Sequence, residues 1–581
     1  MKSRLLLPHN YPELSRRRFV TGLAAGSALL ATGISTRAGA ADTPRNTTTL
    51  RGNRFDLSLG SRRVNFTGRE RLATVVNESI PGPVLRWQQG DTVQLNVSNK
   101  LATDSSIHWH GIILPPEMDG VPGISFAGIQ PGTTFKYQFP VIQSGTYWYH
   151  SHSGFQEQTG LYGALIIDPI APEPFRYDRD YVVVLSDWSD SSPENIFRTL
   201  KKSSEHYNRR PRTVQDTWQD LRSGGFGQTA SDRHMWNRMR MSDRDISDVT
   251  GITYTYLMNG RPPAEGWFGE ARPGETVRLR FVNAGAMTFF DVRIPGLKMT
   301  VVAADGQYIE PVTVDEFRLG AAETYDVLVT ADDAPHAIFA QAIDRSGYAL
   351  GTMGPNPSEP VAAPDMDPAP LLTHGDMGMA HGVDGAHDMH DHQQHAGNAN
   401  AGKAGYGSNA AVVHAASEYG PGVDMRAENP RFKLDDPGIG LRNNGRRVLC
   451  YADLRSLAPT ADPREPGREI QLHLTGNMSR YMWSFDGLSY KDAEPLLMTT
   501  GERLRVTLVN DTMMNHPIHL HGMWSDLETG DGKHIPRKHT VIVQPGSKIS
   551  YLVTPELSGD WAYHCHLLYH MMGMFRRVQV S

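Results

Sequence analysis

The chain has 581 residues, enough for three or four domains at about 150 residues each, so a single hydrophobic core is excluded. It contains 24 histidines against 2 cysteines, Cys450 and Cys565, which excludes a disulfide framework and a cysteine-rich zinc scaffold and leaves imidazole as the main source of metal ligands. A net charge of -6 with 21% charged residues gives no basic surface for nucleic acid and is too ordinary for global disorder.

The first forty residues are predicted to be an export signal. They contain the twin-arginine pattern Ser15-Arg16-Arg17-Arg18-Phe19-Val20, an apolar stretch through about Ile34 and the small-residue cleavage site Ala38-Gly39-Ala40. A membrane anchor is the alternative, but glycine, serine and threonine dilute an apolar run that is short for a span of about 20 residues. We therefore expect the twin-arginine machinery to export the folded chain to the periplasm, with residues 1–40 cleaved and no stable membrane span left.

Three copies of one strand pattern organise the rest of the chain. They begin at Gly90, Gly274 and Gly501, and each runs through an acidic residue and alternating apolar positions to an asparagine nine residues after the glycine. Period-two alternation with abundant glycine and proline favours antiparallel β-sandwiches, one for each copy. The predicted domain ranges are 41–172, 173–345 and 441–581, with a linker at 346–440.

The predicted linker loses the strand pattern and carries a Met/His-rich tract at 374–395. Six histidines and three methionines fall within 22 residues: His374, Met377, Met379, His381, His387, Met389, His390, His392 and His395. The simplest interpretation of this tract is a solvated, disordered insertion. Because thioether suits Cu(I) and imidazole suits copper generally, we also predict that these side chains bind copper or a related metal.

Four short histidine motifs carry the chemistry: His108-Trp109-His110-Gly111, His150-Ser151-His152, His516-Pro517-Ile518-His519-Leu520-His521 and His564-Cys565-His566 with His570. On a β-strand, residues n and n+2 project from the same face, so each His-x-His pair can aim two imidazoles at one metal cluster. A single pair is commonly two ordinary strand histidines, but these motifs lie in the first and third copies of one repeat. Since a zinc enzyme needs only three or four ligands, ten histidines and a cysteine favour several redox metals.

The strand around Cys565 is expected to straddle two sites. His564 and His566 would serve one cluster, while Cys565 points the opposite way, where His516 and His570 complete a His₂Cys set. Met574, nine residues after Cys565, is the candidate for the weak axial ligand of a blue-copper pattern.

Internal alignment divides the work between the domains. The segment that ends in His150-Ser151-His152 matches the one that ends in His564-Cys565-His566, and Ser151 takes the place of the cysteine. The first domain should therefore supply cluster ligands but no blue copper. The middle domain has no His-x-His and should hold neither, so the first and third domains must meet.

These motifs resemble the multicopper oxidases along the whole chain after the signal. Residues 118–123, 239–251 and 254–260 and the Met/His-rich tract are similar to the periplasmic copper-resistance branch of that family. The resemblance implies three cupredoxin-like Greek-key domains and four copper ions. It assigns type 1 copper to His516, Cys565, His570 and Met574, type 2 copper to His108 and His519, and a type 3 pair to His110, His150, His152, His521, His564 and His566.

The axial position departs from the family pattern. Family members often place this ligand five residues after the last histidine, whereas Met574 is four residues after His570 and the fifth residue is Phe575. Met571 and Met572 are alternatives, as is a site without an axial ligand.

The resemblance also implies a mechanism. One-electron oxidation of a substrate at type 1 copper would be coupled to four-electron reduction of O₂ to water, with Cys565 passing electrons into His564 and His566. Related oxidases carry an acid near the position of Asp119, so we predict that Asp119 relays protons, with Glu157 as a second candidate. The alternative for each is a solvated loop carboxylate.

The substrate is left open between three interpretations. Met-rich segments, acidic charge, export and the family branch favour Cu(I) as the reductant, and Met513, Met514, Met523 and Asp526 could dock it or could be core and rim residues. Laccase-like oxidation of phenols or aromatic amines is the first alternative. A non-catalytic copper-sequestering protein is the second. Cys450 has no partner and is predicted to be a structural thiol.

Overall fold

The computed structural model describes residues 48–208, 212–239, 241–359, 361–379 and 407–581. Within these ranges three two-sheet β-sandwiches follow one another, which confirms the predicted all-β architecture. The predicted export signal at 1–40 lies outside the described residues. So do six of the predicted metal-binding side chains of the tract: His381, His387, Met389, His390, His392 and His395.

The first sandwich contains β1 (Thr49–Arg51), β2 (Arg54–Val64), β3 (Arg71–Val76), β4 (Val84–Gln88), β5 (Thr92–Asn99), β6 (His108–His110), β7 (Thr134–Pro140), β8 (Gly145–His150) and β9 (Tyr162–Asp168). One sheet has the strand order β1-β4-β9-β8-β6, and the other has the order β3-β2-β5-β7. A 3₁₀ turn, Pro116–Met118, follows β6.

The second sandwich contains β10 (Arg179–Ser189), β11 (Tyr254–Met258), β12 (Trp267–Glu270), β13 (Thr276–Asn283), β14 (Phe290–Arg293), β15 (Met299–Ala304), β16 (Gln307–Val314), β17 (Glu316–Leu319), β18 (Thr324–Thr330), β19 (His336–Ala342) and β20 (Tyr348–Gly354). Its sheets have the orders β11-β10-β13-β18-β15-β16 and β12-β20-β19-β14-β17. Between β10 and β11 lie a helix, Pro193–Leu200, a 3₁₀ turn, Ser204–Tyr207, and a helical segment, Val214–Met239, which a kink at Gly225 divides into two helices.

The third sandwich contains β21 (Arg468–Asn477), β22 (Met482–Phe485), β23 (Leu496–Met498), β24 (Leu504–Asn510), β25 (His516–Leu520), β26 (Ser525–Leu527), β27 (Arg537–Lys538), β28 (Thr540–Val543), β29 (Lys548–Val553), β30 (Gly559–Cys565) and β31 (Phe575–Val580). Its sheets have the orders β22-β21-β24-β29-β26-β27 and β23-β31-β30-β25-β28. A one-turn helix, Leu568–Met571, joins β30 to β31, and 3₁₀ turns lie at Ala416–Tyr419, Tyr451–Asp453 and Met478–Arg480.

The strand that recurs in the sequence occupies the same place in all three sandwiches. β5, β13 and β24 each pair in parallel with a long strand near the start of their sandwich, which is β2, β10 or β21. On the other side they pair antiparallel with β7, β18 and β29. The expectation of antiparallel sandwiches is therefore corrected. Besides these pairings, β4 pairs in parallel with β1 and β9, β12 with β20, and β23 with β31, and parallel neighbours need a crossover connection instead of a hairpin.

The asparagine that closes each repeat fixes the loop after the strand. Asn99, Asn283 and Asn510 are buried, and each side-chain Oδ1 accepts a hydrogen bond from the backbone N–H two residues further on. Each side-chain amide donates to backbone carbonyls of the following loops. Buried polar groups need such partners. In the first and third sandwiches this fixed loop leads toward the first histidine motif of the domain.

The middle sandwich extends further than predicted. β20, which lies inside the predicted linker, pairs with β19, so this sandwich continues past residue 345 to Gly354. Six of the seven residues of β20 are buried, so the strand lacks the apolar and polar alternation that would reveal it. Later in the predicted linker, Met425 and Leu434 are buried in the core, so the described part of 407–440 packs against the sandwiches.

Apolar packing fixes the three sandwiches to one another. The largest hydrophobic core runs without a break from the second sandwich into the third. The first sandwich has its own core around Trp87 and Trp109. A smaller cluster that contains Trp148 and Trp188 joins the first sandwich to the second. Side chains from different domains can therefore be held at a shared site with little freedom to move apart.

Candidate metal centre

Strands of the first and third sandwiches bring the histidine motifs together. β6 and β8 pair so that His108 lies opposite His150, and β25 and β30 pair so that His519 lies opposite His564. The two pairs of strands face each other across the domain boundary, where His152 Nε2 lies 3.2 Å from His564 Nε2. The first and third domains therefore share one site.

Eight histidines form this interdomain histidine cluster: His108, His110, His150, His152, His519, His521, His564 and His566. His521 Nε2 lies 2.9 Å from His564 Nε2, and His150 Nε2 lies 3.3 Å from His566 Nε2. Two nitrogens that bind one metal ion at about 2.0–2.1 Å lie about as far from each other as the nitrogens of these pairs do. The cluster therefore has the spacing of ligand atoms around common ions.

Most of these rings are held by the protein through the nitrogen that faces away from the cluster. In five rings the outer nitrogen is Nδ1. Four of them pair with a backbone carbonyl: His108 with Asp119, His150 with Ser151, His519 with His539 and His564 with Cys565. The fifth, His521, pairs with the side-chain Oδ2 of Asp119. His110 is reversed, since its Nε2 pairs with Thr540 Oγ1 at 3.1 Å. Metal-bound histidines are held in this way by their second nitrogen.

Three of the inner ring nitrogens of the cluster are unpaired within the described part of the chain. Nε2 of His108, Nε2 of His519 and Nδ1 of His110 are buried and have no hydrogen-bond partner among the described residues. A buried, unpaired polar atom costs free energy unless something binds it. Three buried, unpaired ring nitrogens within one cluster of histidines therefore fit bound metal.

Burial sets the protonation state of the cluster. It lowers the pKa of His110, His519, His521 and His566 well below 6.5, and neighbouring imidazoles lower it further. Burial also lowers the pKa of His564 to about 3. These rings are neutral at neutral pH, and the neutral imidazole is the form that binds a metal.

A second site lies on the other side of β30. Cys565 Sγ lies 3.5 Å from His516 Nδ1 and 3.9 Å from His570 Nδ1, and the two Nδ1 atoms lie 3.3 Å apart. All three side chains are fully buried, and burial raises the pKa of the Cys565 thiol. A buried thiol of this kind is deprotonated when a metal binds it. We call this set of three residues the Cys565 site.

The candidates for the axial ligand of the Cys565 site differ in burial. Met574 is fully buried, whereas Met572 is 47% exposed and Met571 is half-buried. Phe575 stacks on the ring of His564, with 5.5 Å between ring centroids and an angle of 4° between planes. Phe575 therefore lies against the interdomain histidine cluster, and Met574 is the buried sulfur closest in sequence to His570.

The two predicted acids both contact cluster histidines. Asp119 is fully buried, with Oδ2 2.9 Å from His521 Nδ1 and Oδ1 3.2 Å from His108 Nδ1. Glu157 is also buried, and its Oε2 lies 2.8 Å from His150 Nδ1. The alternative of solvated loop carboxylates is therefore wrong for both. Burial raises the pKa of Glu157 well above its ordinary value.

Sequence reasoning missed the residues that hold the outer nitrogens of the Cys565 site. His516 Nε2 pairs with Thr512 Oγ1 at 2.7 Å, and His570 Nε2 donates to Asp248 Oδ2 at 2.5 Å. Asp248 comes from the middle domain, in the stretch that carries part of the family resemblance. Its distance in sequence from His570 hides the contact, which only the packing of the second sandwich against the third creates.

The described part of the Met/His-rich tract is packed rather than free. Met377 is fully buried, Met379 packs against the same core, and the ring of His374 lies 5.0 Å from that of Trp236. His374 also pairs with Asp232 at 3.2 Å. The predicted metal ligands Met377 and Met379 are therefore core residues here.

Two of the predicted Cu(I) docking residues, Met523 and Asp526, line the same cavity. Met513, Met514 and Met523 are buried in the core. Asp526 lines a cavity of about 540 Å³, but its carboxylate already pairs with Arg503 at 2.8 Å and with an arginine on β27. Packing accounts for Met513 and Met514, whereas Met523 also borders the cavity.

Comparisons by sequence place these motifs among known proteins. Three family models, each described as multicopper oxidase, match residues 59–172, 179–354 and 463–581. Copper resistance protein A of Escherichia coli is 53% identical over 98% of this chain and 99% of its own, and that of Pseudomonas syringae pv. tomato is 52% identical with the same coverage. A multicopper oxidase of Mycobacterium tuberculosis, MmcO, is 29% identical over 89% of this chain and 84% of its own.

Comparisons by structure agree on the fold. Fet3p, a multicopper oxidase that functions in iron import, has a TM-score of 0.62 at 19% identity, with 92% of this chain and 91% of that chain covered. A laccase from Botrytis aclada has a TM-score of 0.61 at 20% identity, with 93% and 90% covered. The three sandwiches are therefore cupredoxin-like. Among the described residues, no helix is long and apolar enough to cross a membrane.

Proposed function

Because this chain belongs to the multicopper oxidase family, we propose that it oxidises Cu(I) to Cu(II) and reduces O₂ to water in copper resistance. Family membership makes it an oxidoreductase that uses copper ions and O₂. The observation that carries the resistance role is the likeness to the copper resistance proteins A, which extends over nearly the whole of both chains.

We assign the four copper ions of this proposal to the two sites. Type 1 copper would be held by His516, Cys565, His570 and Met574, type 2 copper by His108 and His519, and the type 3 pair by His110, His150, His152, His521, His564 and His566. Imidazole and thiolate donors suit copper, and the unpaired inner nitrogens and their anchored outer nitrogens support this assignment. When bound, the coppers supply the one-electron redox chemistry that side chains alone lack.

Cys565 connects the two sites through the chain itself. Its thiol belongs to the Cys565 site, while His564 and His566, its neighbours on the same strand, belong to the interdomain histidine cluster. The connection therefore runs through the bonds of adjacent residues, with no gap to cross. Thr512 and Asp248 hold His516 and His570 in position.

Buried acids supply protons to the cluster in this proposal. Reduction of O₂ to water consumes protons, and seven of the eight cluster histidines are buried, so side chains must help to deliver them. Glu157 can hold a proton on its carboxyl because burial raises its pKa, and its Oε1 has no partner among the described residues. Asp119 bonds His521 and faces His108, so it both positions these rings and lies within reach of the reacting atoms.

The test compares Cu(I) with a phenol as reductant. Oxygen consumption by the copper-loaded chain is measured with each, before and after residues 380–395 are replaced by a glycine-serine segment of equal length. This replacement leaves the packed Met377 in place. We expect a higher kcat/KM with Cu(I), and a rise in KM for Cu(I) alone after the replacement.

Other results would favour the alternatives. A higher kcat/KM for phenols would make the chain laccase-like, and bound copper without oxygen uptake from either reductant would make it a sequestering protein.

Export is proposed on the twin-arginine pattern, which lies outside the described residues. Replacement of Arg16 and Arg17 by lysine should keep the uncleaved chain out of the periplasmic fraction, and normal export of that variant would contradict the proposed route.

Substitution of Asp248 tests how the middle domain tunes the Cys565 site. Asp248→Asn removes the negative charge that accepts the His570 N–H, so His570 becomes a weaker electron donor to its metal. We expect kcat for Cu(I) to fall by about tenfold and the reduction potential of the blue chromophore to rise. Asp220→Asn, which changes a partly exposed carboxylate of the same domain that pairs with Arg212 away from the Cys565 site, is the matched control. Equal potentials in the two variants would contradict the tuning role.

A further inference from the structure

A second cluster of metal-ligating side chains lies apart from the two sites already described. His473 is on β21, and Asp511 directly follows β24, the neighbouring strand. His414 and Glu418 belong to the segment that returns after the Met/His-rich tract, and Glu418 lies in the 3₁₀ turn Ala416–Tyr419. Two imidazoles and two carboxylates are thus brought together from two parts of the third sandwich and from the segment that precedes it.

The returning segment runs along the outer face of β21. Leu472 and Leu474 point into the sandwich core, so His473 projects from the opposite face. Ser408 Oγ donates to Glu469 Oε1 at 2.5 Å, and Val413 N donates to Gln471 Oε1 at 3.1 Å. The returning segment therefore makes hydrogen bonds to alternate residues of β21, and His473 is the next residue on that face of the strand.

The four ligand atoms lie close together. His473 Nδ1 lies 2.7 Å from Asp511 Oδ2 and 3.2 Å from Glu418 Oε2. His414 Nδ1 lies 2.7 Å from Glu418 Oε2 and 3.6 Å from Asp511 Oδ2. Four ligands placed tetrahedrally at about 2.0–2.1 Å from one ion are about 3.3 Å apart. The observed distances bracket that value.

The protein holds these side chains by their other polar atoms. Glu418 Oε1 accepts a hydrogen bond from the backbone N–H of Ala415 at 2.8 Å, and Asp511 Oδ1 accepts one from Ala427 at 2.7 Å. His473 Nε2 lies 3.3 Å from Gln471 Oε1. Each of these three ligands therefore turns one atom inward while its second atom is fixed, which is how ligands are held around a metal ion.

The buried carboxylates of the cluster need a positive charge, which either a protonated imidazole or a bound cation can supply; although burial opposes it, the hydrogen bond with Asp511 and the nearby carboxylates raise the pKa of His473. Glu418 and Asp511 are 1% and 0% exposed, and two buried carboxylates need compensation. Asp486, whose Oδ1 accepts the backbone N–H of His473, has its own partner in Arg576 at 2.9 Å. A divalent ion would balance both carboxylates and leave both imidazoles neutral.

We propose that His414, Glu418, His473 and Asp511 form a further metal site, which binds a divalent transition-metal ion and ties the returning segment to β21. Imidazole nitrogen and carboxylate oxygen suit Zn²⁺ or Cu²⁺, and the set has no sulfur to favour Cu(I). The site does not depend on the proposed oxidase activity, and nothing in its chemistry requires the Cys565 site to be functional.

The test counts metal ions in the full-length protein loaded with only the four equivalents of copper that the two sites already described would take, so that the further cluster stays free for Zn²⁺. Zn²⁺ is titrated calorimetrically into the protein, and bound zinc is measured after dialysis. We expect His414→Ala to bind one equivalent less Zn²⁺ than the unaltered chain and to lose the part of the thermal stabilisation that this ion provides. His336→Ala is the control, because His336 forms a similar i, i+4 pair with Asp332 outside the cluster and should lose no equivalent.

A second variant keeps the result interpretable if His414→Ala alters the fold. Glu418→Gln preserves shape and removes one charge, and it should also lose one equivalent of Zn²⁺ with copper content and blue absorbance unchanged. Competition with Cu²⁺ identifies the preferred ion, and the Irving–Williams order predicts that Cu²⁺ displaces Zn²⁺. Equal zinc stoichiometry in the unaltered chain and both variants would show that the cluster is only a network of ion pairs and would overturn the proposal.

Discussion

Replacement of Cys565 by serine is expected to abolish Cu(I)-driven oxygen consumption while the sandwiches stay folded. The thiol is the only sulfur within hydrogen-bonding distance of both His516 and His570 among the described contacts. A serine hydroxyl does not ionise as a thiol does, so it provides no thiolate for the metal. Because residues that act as one unit fail together, we expect kcat to fall by about a thousandfold or more.

The fold should tolerate this change. Serine is close to cysteine in size, and Ser151 already occupies the equivalent position of the first domain, where its hydroxyl donates to Gln156 Oε1 at 2.9 Å. The measurements are oxygen uptake, blue absorbance and the melting temperature. Loss of the first two with a small change in the third is the expected result.

Cys450→Ser is the matched control for this experiment. Cys450 is the second of the two cysteines, and its Sγ lies 3.8 Å from the backbone carbonyl of Val448, away from the Cys565 site. This variant should keep its colour and its activity. If Cys565→Ser retained oxygen uptake at the level of Cys450→Ser, electrons would have to enter the interdomain histidine cluster by another path.

The histidine motifs could be predicted because their geometry is local. On a strand, alternate residues share a face, so the sequence alone predicts that His108 and His110, like His564 and His566, face one site while Cys565 faces another. The repeated strand could be predicted for the same reason, since the glycine and asparagine that bound it act within a few residues. Such local rules do not depend on how the rest of the chain packs.

The residues that hold the ligands could not be predicted in this way. Asp248 contacts His570 from another domain, and His414 contacts Asp511 from within the predicted linker. Such contacts depend on how complete sandwiches pack, which no spacing in the sequence records. The end of the middle domain was misplaced for a related reason, because the strand Tyr348–Gly354 is buried on both faces and lacks alternation.

Substitution of Asp119 is the second change with a large expected effect. Its carboxylate bonds His521 and faces His108, and its backbone carbonyl accepts the His108 N–H at 2.8 Å. Asp119→Asn keeps the backbone contact and the shape of the side chain but removes the charge. Loss of such an outer partner typically costs 10–100-fold in metal affinity or activity, so we expect kcat to fall by about that factor.

The kinetic pattern separates proton transfer from a loss of copper. If Asp119 relays protons, the asparagine variant keeps its copper content and its KM for Cu(I), while kcat falls and its pH profile changes shape. If Asp119 only positions the two rings, copper content falls together with kcat and the pH profile is retained. Glu117→Gln, an exposed carboxylate two residues earlier, should match the unaltered chain in every measurement.

An unchanged rate and pH profile in Asp119→Asn would contradict both roles. Protons would then have to come from Glu157, the other buried acid that contacts a cluster histidine. Glu157→Gln would in that case reproduce the loss expected for Asp119→Asn. Because Asp119 lies between His108 and His521 whereas Glu157 pairs with His150, the two variants together show from which side of the cluster protons arrive.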